Sequence, residues 1–393
     1  MSALTSMTVA GIMSGTSADG IDVAFTRITP RSDDPAFPSL ELLGHTGFPF
    51  PPALRRAVLA AMNAQAIATA ELARLNWRLG QAYSEALAEA LESNPCRLDL
   101  IGCHGQTIYH QATPARYLGR DAACTWQIGE MAMLAENSGV PVVSNFRPAD
   151  MVVGGQGAPL VSLLDYVLFR HPARGRVLQN LGGIGNLTAL PANAGPSQVV
   201  AFDTGPGNMV IDQLMQKLFG KPFDRGGKTG RRGTVLQAVV RARLREPFFE
   251  ARPPKTAGRE QFGGDYAAHF LEACRKAGGS SEDTIATATA LTAQSVALAY
   301  STFLAKKMQL TAVDFIVSGG GARNLTLLQL LRDQLEPLGC TVQASDDLGL
   351  PAEAKEAAAF ALLAYETWHR RPGNIPSATG AVRPVILGQI TYV

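Results

Sequence analysis

The sequence predicts an α/β protein of two similar halves, each a hairpin of buried strands feeding helices. Three observations predict it. At 393 residues the chain exceeds what one hydrophobic core usually organises. Its opening grammar of strand, glycine turn, return strand and acid recurs after Arg176. Elsewhere, apolar runs of strand length alternate with stretches of three- and four-residue apolar spacing, the period of amphipathic helices. The composition, 46% hydrophobic and 17% charged, is that of a globular chain. A net charge of +2 gives no electrostatic case for nucleic acid or an anionic membrane. The five cysteines (Cys96, Cys103, Cys124, Cys274, Cys340) are odd in number and form no C-x-x-C pair, which indicates neither a disulfide framework nor a zinc site. With no basic leader and no run of about 18 apolar residues, a cytoplasmic protein is expected.

Taking the chain in order, residues 9–13 read as a buried strand and residues 21–25 as its return, with Gly15 and Gly20 permitting backbone that a Cβ would obstruct. The hairpin tip carries Ser14, Thr16 and Ser17, whose hydroxyls and amides suit an anion, and Asp19 and Asp22, which can orient a metal sharing its charge. A nucleotide phosphate with Mg²⁺ fits that set. The competing reading is an ordinary glycine-rich turn whose Ser and Asp cap their own backbone. Residues 30–38 predict an exposed loop, and residues 52–93 two helices broken near 63–69. Residues 98–102 predict a short buried strand delivering 103–110 at its carboxyl end, where α/β sheets keep their ligands. His104 and Gln106 thereby become candidates, although a His satisfied by loop carbonyls competes. Residues 130–137 predict an apolar helix and 141–144 another buried strand, whose polar exit at 145–150 holds Arg147 and Asp150. Those two either help wall a pocket or pair with each other on the surface. The glycines of 154–160 would let backbone approach a ligand closely.

In the second half, a strand at 177–180, a turn at 182–185 and a return strand at 187–190 repeat the opening. Residues 199–202 predict a strand that ends by delivering Asp203, followed by Gly205, Gly207, Asn208 and a helix over 209–219 whose unpaired N–H groups point at a ligand. A carboxylate beside an anion site is costly unless it accepts a proton or meets a metal, so Asp203 is read as functional in preference to a helix cap. A third glycine turn, Gly319, Gly320, Gly321 to Asn324, lies between a strand at 313–317 and a helix at 325–335; such a surface suits a flat nucleoside or a sugar phosphate. An Ala-rich helix at 353–367 carries Glu356 in its first turn, a candidate for a ribose or substrate contact. Residues 223–229 are not a P-loop, because Pro222 stands where glycine is needed and no strand precedes it, and no G-x-G-x-x-G follows a strand.

Five motifs stand in order: Met-Ser-Gly-Thr-Ser-x-Asp-Gly at 13–20, His-Gly-Gln-Thr at 104–107, Gly-Gly-Gln-Gly-Ala-Pro-Leu at 154–160, Phe-Asp-x-Gly-Pro-Gly-Asn at 202–208 and Ser-Gly-Gly-Gly-Ala-x-Asn at 318–324. Together they resemble the anhydro-N-acetylmuramic acid kinase family nearly end to end, and Pro-Pro-Lys-Thr-Ala-Gly-Arg-Glu at 253–260 is similar to a further family segment. The resemblance implies a two-lobed actin-like ATPase (ribonuclease H-like) fold with a central nucleotide and sugar cleft, residues 1–175 forming one lobe and 176–393 the other, with the tail packing back on the first. It implies that ATP and Mg²⁺ are used to open the 1,6-anhydro ring of 1,6-anhydro-N-acetylmuramic acid with water and to phosphorylate O6, giving N-acetylmuramic acid 6-phosphate in peptidoglycan recycling.

On this resemblance Asp203 is the general base. Gly15, Thr16, Ser17, Ala18, Asp19, Gly20, Ile21 and Asp22, with Gly205, Gly207 and Asn208, hold the phosphates, and Asp19 with water holds Mg²⁺. Gly319, Gly320, Gly321 and Asn324 meet the nucleoside, while Gln106, Arg147 and Gly157 line the sugar side. The chain departs from the family pattern at Asn145 (usually Asp), at Pro148 and Ala149 (often basic), at Ala18 (usually Leu) and at Thr256 and Ala257 (usually Ser-Thr), and the last two receive no role. The expected partners are the sugar and ATP, not nucleic acid or membrane, with a homodimer left open. Two alternatives stand beside this reading: another actin-fold sugar kinase, and an ATP-switched actin-like protein without sugar chemistry. The product separates them, since only the anhydro-sugar enzyme puts a water oxygen at C1.

Overall fold

The computed structural model describes residues 5–34, 36–62, 64–308, 312–345, 351 and 353–393; Pro35 of the expected loop and Asn63 of the expected helix break lie outside them. The chain forms two compact units, Met1–Leu168 with Glu353–Val393, and Phe169–Ala352. The division expected at 175/176 falls at Leu168 in this structure, and residues 353–393 group with the first unit.

The first unit contains β1 (Met7–Ser14), β2 (Gly20–Thr29), β3 (Ser39–Pro49), β4 (Leu100–Tyr117), β5 (Arg120–Ile128) and β6 (Val142–Ser144). Its sheet runs β3-β2-β1-β4-β6 and is extended by the strand Gln389–Thr391, while β5 folds back on β4. The pairs β1/β2 and β2/β3 are antiparallel; β1/β4 and β4/β6 are parallel. Helices Pro52–Ala61 and Thr69–Ser93 follow the predicted apolar spacing and bury Leu54, Val58, Leu75, Leu79, Tyr83 and Leu87 against Ala10, Ile12, Val23 and Phe25. Because side chains alternate along a strand, Gly11 faces the other side of the sheet from Ala10 and Ile12. There it lies beside Gly102 in the parallel register, and the helix Lys355–Trp368 packs over both. A Cβ on Gly11 would run into the backbone of Ala357, and one on Gly102 into that of Phe360. The paired glycines form the bed in which this Ala-rich helix lies.

The second unit contains β7 (Gly175–Leu181), β8 (Ile184–Leu190), β9 (Val200–Pro206), β10 (Val313–Ser318) and β11 (Cys340–Ala344), in the order β9-β8-β7-β10-β11. Again the first three strands are antiparallel and the last two pairs parallel. Each unit therefore has the strand order of a ribonuclease H-like half of the actin-like ATPase fold. The helices Met209–Phe219 and Leu325–Leu335 match their predicted spans. The helix Ser281–Ala299 opens with a capping box between Ser280 and Asp283, is buried on nearly every side, and ends in a π-helical turn at Tyr300–Leu304. Among the described residues no helix is long and apolar enough to cross a membrane.

Three local expectations are corrected. β4 does not stop at residue 102 but continues through His104 to Tyr117, because β5 supplies it with an antiparallel partner from Gln106 onward. β9 likewise continues past Asp203 to Pro206. Residues 147–152 form a short helix with Pro148 in its first turn, where a loop was expected.

Candidate functional site

In the first unit the β1/β2 turn exposes Thr16, Ser17 and Asp19, while Ala18 and Ile21 point into the core. Those two can offer a ligand backbone but no side chain. Ala18 takes a left-handed φ of 53°. Arg55, from the helix Pro52–Ala61, donates from Nε to the Ala18 carbonyl (3.0 Å) and from Nη2 to Asp19 Oδ1 (3.2 Å). Both side chains of that ion pair are open to solvent, so it adds about 0–1 kcal/mol and holds the turn only lightly. Asp22 meets His45 Nε2 at 3.2 Å.

Beneath the turn, Gln106 Nε2 donates to the Gly15 carbonyl (3.1 Å), and Ser14 Oγ meets Tyr83 OH (2.8 Å) and donates to the Gly105 carbonyl (3.2 Å). Gln106 is fully buried, and its Oε1 has no partner among the described residues. Its amide thus supports the turn from below.

His104 is buried as well. Its Nε2 accepts from Arg147 Nε (3.0 Å) and its Nδ1 meets the Gly105 carbonyl at 2.8 Å, a pattern that requires the neutral ring protonated on Nδ1. Burial, and then the Arg147 charge, hold its protonation well below the usual range. Arg147 Nη1 donates to the Gly157 carbonyl (2.8 Å), so two of its five N–H donors are fixed by protein. Burial lowers the guanidinium to about 10, with Glu356 opposing, and it remains charged at neutral pH. The Glu356 side chain is open to solvent, yet the protein atoms crowded about it raise its carboxyl; Arg147 and Lys355 pull it down and Asp22 pushes it up.

Asp150 does not pair with Arg147. It is fully buried, accepting from Gly157 N (2.8 Å), Asn374 Nδ2 (2.8 Å) and Thr379 Oγ1 (2.7 Å). Gly157 needs its left-handed φ of 68°, and a Cβ there would press on Met151. Asn145, one of the departures from the family pattern, also has a left-handed φ, 57°, which Asn tolerates better than most residues.

In the second unit the candidates gather at the carboxyl ends of β7, β9 and β10. Asp203 lies inside β9, opposite Asn186, immediately before an irregularity in the β8/β9 register. Thr204 is the extra residue of this bulge. It is buried, its Oγ1 accepts from Gln179 Nε2 (3.2 Å), and Gly205 follows with φ 137°. The Asp203 amide donates to the Lys255 carbonyl (3.0 Å), and Asp203 Oδ2 accepts from Ala257 N at 2.7 Å. Ala257, given no role above, contributes through its backbone. Burial raises the Asp203 carboxyl to about 6, against the pull of the Ala257 bond and the Lys255 charge and with a small push from Glu260.

Lys255 is buried, donating from Nζ to the carbonyls of Phe248 (2.9 Å) and Phe249 (3.3 Å). It lies 4.7, 5.0 and 5.8 Å from the ring centres of Phe248, Phe303 and Phe202. Each such face attracts a desolvated cation by about 0.5–2 kcal/mol. Burial brings this ammonium down to about 8, with Asp203 opposing. Sequence reading gave Lys255 no role beyond its place in the 253–260 segment, because the groups around it come from three separate stretches of chain.

The amides of Gly207, Asn208 and Met209 donate to the carbonyls of Gly182 and Gly183 (2.7–3.0 Å). The start of the helix Met209–Phe219 therefore does not present those three N–H groups to a ligand, which corrects the expectation. Asn208 Nδ2 donates to the Leu181 carbonyl (2.9 Å), and a Cβ on Gly319 or Gly321 would strike the end of β7 at Asn180 and Leu181. Asn324 caps the helix Leu325–Leu335, its Oδ1 accepting from Leu327 N at 3.0 Å. Among the described residues no group of three or more His, Cys, Asp or Glu is arranged to hold a metal ion. A lone exposed carboxylate such as Asp19 fits Mg²⁺, which keeps most of its waters and shares a nucleotide's phosphates.

A family model described as anhydro-N-acetylmuramic acid kinase matches residues 7–393. Proteins named anhydro-N-acetylmuramic acid kinase from Bacillus cereus strain AH187 and from Bacillus thuringiensis subsp. konkukian are 42% and 41% identical over 389 residues, covering 98% of this chain and 99% of each relative. Among solved structures, a ROK family glucokinase from Streptomyces griseus in complex with glucose and AMPPNP shows a remote likeness, with TM-score 0.37 and 14% identity over 91% of this chain and 99% of that one.

Proposed function

The chain belongs to the anhydro-N-acetylmuramic acid kinase family, and on that premise we propose that it uses ATP and water to convert 1,6-anhydro-N-acetylmuramic acid into N-acetylmuramic acid 6-phosphate. The observation that carries the mechanism is Asp203: a carboxylate set on a bulge, held by one backbone amide and raised to about 6, is poised to take a proton near neutral pH. It accepts a proton from a water that attacks the anomeric carbon. The bond from that carbon to the bridging oxygen breaks, and the released O6 becomes the acceptor of the γ-phosphoryl group.

Thr16, Ser17 and the backbone of the 15–22 turn receive the phosphates, and Gly205, Gly207 and Asn208 are the second unit's own candidates for phosphate contact. Asp19 would hold Mg²⁺, which when bound offsets charge on the phosphates. The glycine turn 319–321 offers bare backbone to the nucleoside, with Asn324 fixing its end. Arg147, anchored by His104 and Gly157, directs its remaining donors to the carboxylate of the muramic acid, with Gln106 bracing the adjoining turn.

The test is turnover in ¹⁸O-water. The expected product carries one ¹⁸O at C1 and a phosphate on O6, and ATP is consumed only when the anhydro-sugar is present. Equal turnover with an ordinary hexose, or a product without label at C1, overturns the proposal.

A further inference from the structure

Lys255 takes no part in the chemistry proposed above, yet it is a buried cation enclosed on several sides. Two carbonyls accept from its ammonium and three phenyl rings surround it. One ring, Phe303, comes from the π-helical turn Tyr300–Leu304, a helix distortion frequent at functional sites. A second, Phe202, immediately precedes Asp203. The same short stretch of chain holds Asp203 twice, once through the Lys255 carbonyl and once through the Ala257 amide.

We propose that Lys255 is a positioning residue for Asp203: its caged ammonium pins the 255–257 segment, and that segment aims the carboxylate. The proposal rests on Asp203 being the base. The charged groups that act on this carboxylate are Lys255 and, with opposite sign, Glu260. The cage therefore acts in two ways, fixing direction through the backbone and favouring the ionised form through charge. Lys255, Phe202 and Phe248 are buried and offer no open side chain to a ligand, so the loss of the cage should appear in turnover and not in substrate affinity.

The full-length enzyme is assayed with anhydro-sugar and MgATP across pH. Lys255→Met keeps an unbranched apolar stem and removes the cation. The expected result is a fall in kcat of roughly tenfold to a hundredfold, the usual consequence of a misaimed reacting group, with the sugar KM within about twofold. The acid limb of kcat/KM moves to higher pH, because the carboxylate has lost a neighbouring cation. Lys255→Arg retains the charge and returns the limb toward its original position. A merely structural lysine would lower the melting temperature and leave the limb in place.

A folded Lys255→Met enzyme with unchanged kcat and an unchanged limb overturns the proposal. If that variant does not fold, Phe303→Leu opens one side of the cage without altering charge. It is expected to lower kcat severalfold at constant KM, and an unchanged kcat overturns the proposal by that route. Asp203→Asn keeps the two levels apart. An inactive Asp203→Asn beside an unaffected Lys255→Met sinks the positioning role alone, whereas an active Asp203→Asn sinks the base and, with it, any reason to position it.

Discussion

The two units share a strand order but use it differently. In the first, the β1/β2 turn is long enough to expose the side chains of Thr16, Ser17 and Asp19. In the second, the equivalent β7/β8 turn is Gly182-Gly183, whose carbonyls are taken by the backbone of Gly207 to Met209. The acid of that unit, Asp203, stands on the third strand, where a bulge and the 255–257 segment hold it. The sheets differ at their centres as well. Gly11 lies beside Gly102 in the first, whereas Val177 lies beside Phe315 and Leu178 beside Ile316 in the second. The frame tolerates either arrangement, and the activity is decided by what fills the turns and bulges.

The largest effect should come from the acid of the second unit. Asp203→Asn is expected to lower turnover by roughly two to four powers of ten with little change in sugar binding, measured in steady state. The same change should stabilise the fold. Because the folded carboxyl is raised from an ordinary 3.8 to about 6, the folded state holds its proton more tightly, and stability is lost as pH rises through that window. Asn removes this loss, so the gain is at most about 3 kcal/mol near pH 8 and close to nothing near pH 4. A melting temperature that falls at pH 8 would mean that the Ala257 bond outweighs the burial of charge.

Next in size is the glycine bed of the first unit. Gly102→Ala sets a methyl against helix backbone that cannot step aside as a flexible side chain would, and should cost roughly 1–3 kcal/mol or more by denaturant melt. Were the mutant as stable as the parent, the close approach of the helix would not be a constraint, and the contrast with the filled centre of the second sheet would lose its meaning. The smallest structural effect belongs to the exposed turn. Asp19→Ala should change stability by less than about 0.5 kcal/mol, since its pair with Arg55 is solvated. It should nonetheless raise the MgATP concentration needed for half-maximal rate, most clearly at limiting Mg²⁺. An unaltered Mg²⁺ dependence would remove Asp19 from the metal.

Helices 209–219 and 325–335 were legible in the sequence because their own apolar spacing specifies them. The ends of β4 and β9 were not, since strand length depends on a partner: β5 draws β4 out to Tyr117, and β8 carries β9 past Asp203. The candidate site divides along the same line. Asp203 could be named from its residue type and the glycines after it, although neither its bulge nor its tether could. His104 and Arg147 were picked out separately, 43 positions apart, with nothing to say that one nitrogen donates to the other. Lys255 stood out only as part of the 253–260 segment, with no role to read, because Phe202, Phe248, Phe249 and Phe303 become its surroundings only once the chain has folded.

The glycine bed also sets a timetable. The helix that fills it begins at Lys355, after the whole of Phe169–Ala352 has been made. At about 5–20 residues per second, synthesis of that unit takes roughly 10–40 seconds, time enough for a domain of its size to fold by itself. Throughout that interval the first sheet stands with one face uncovered, and Gly11 and Gly102 present bare backbone where Ala357 and Phe360 will later lie. The half of the chain that is translated first is therefore the half that finishes last, and it is the one a holding chaperone would have to shield.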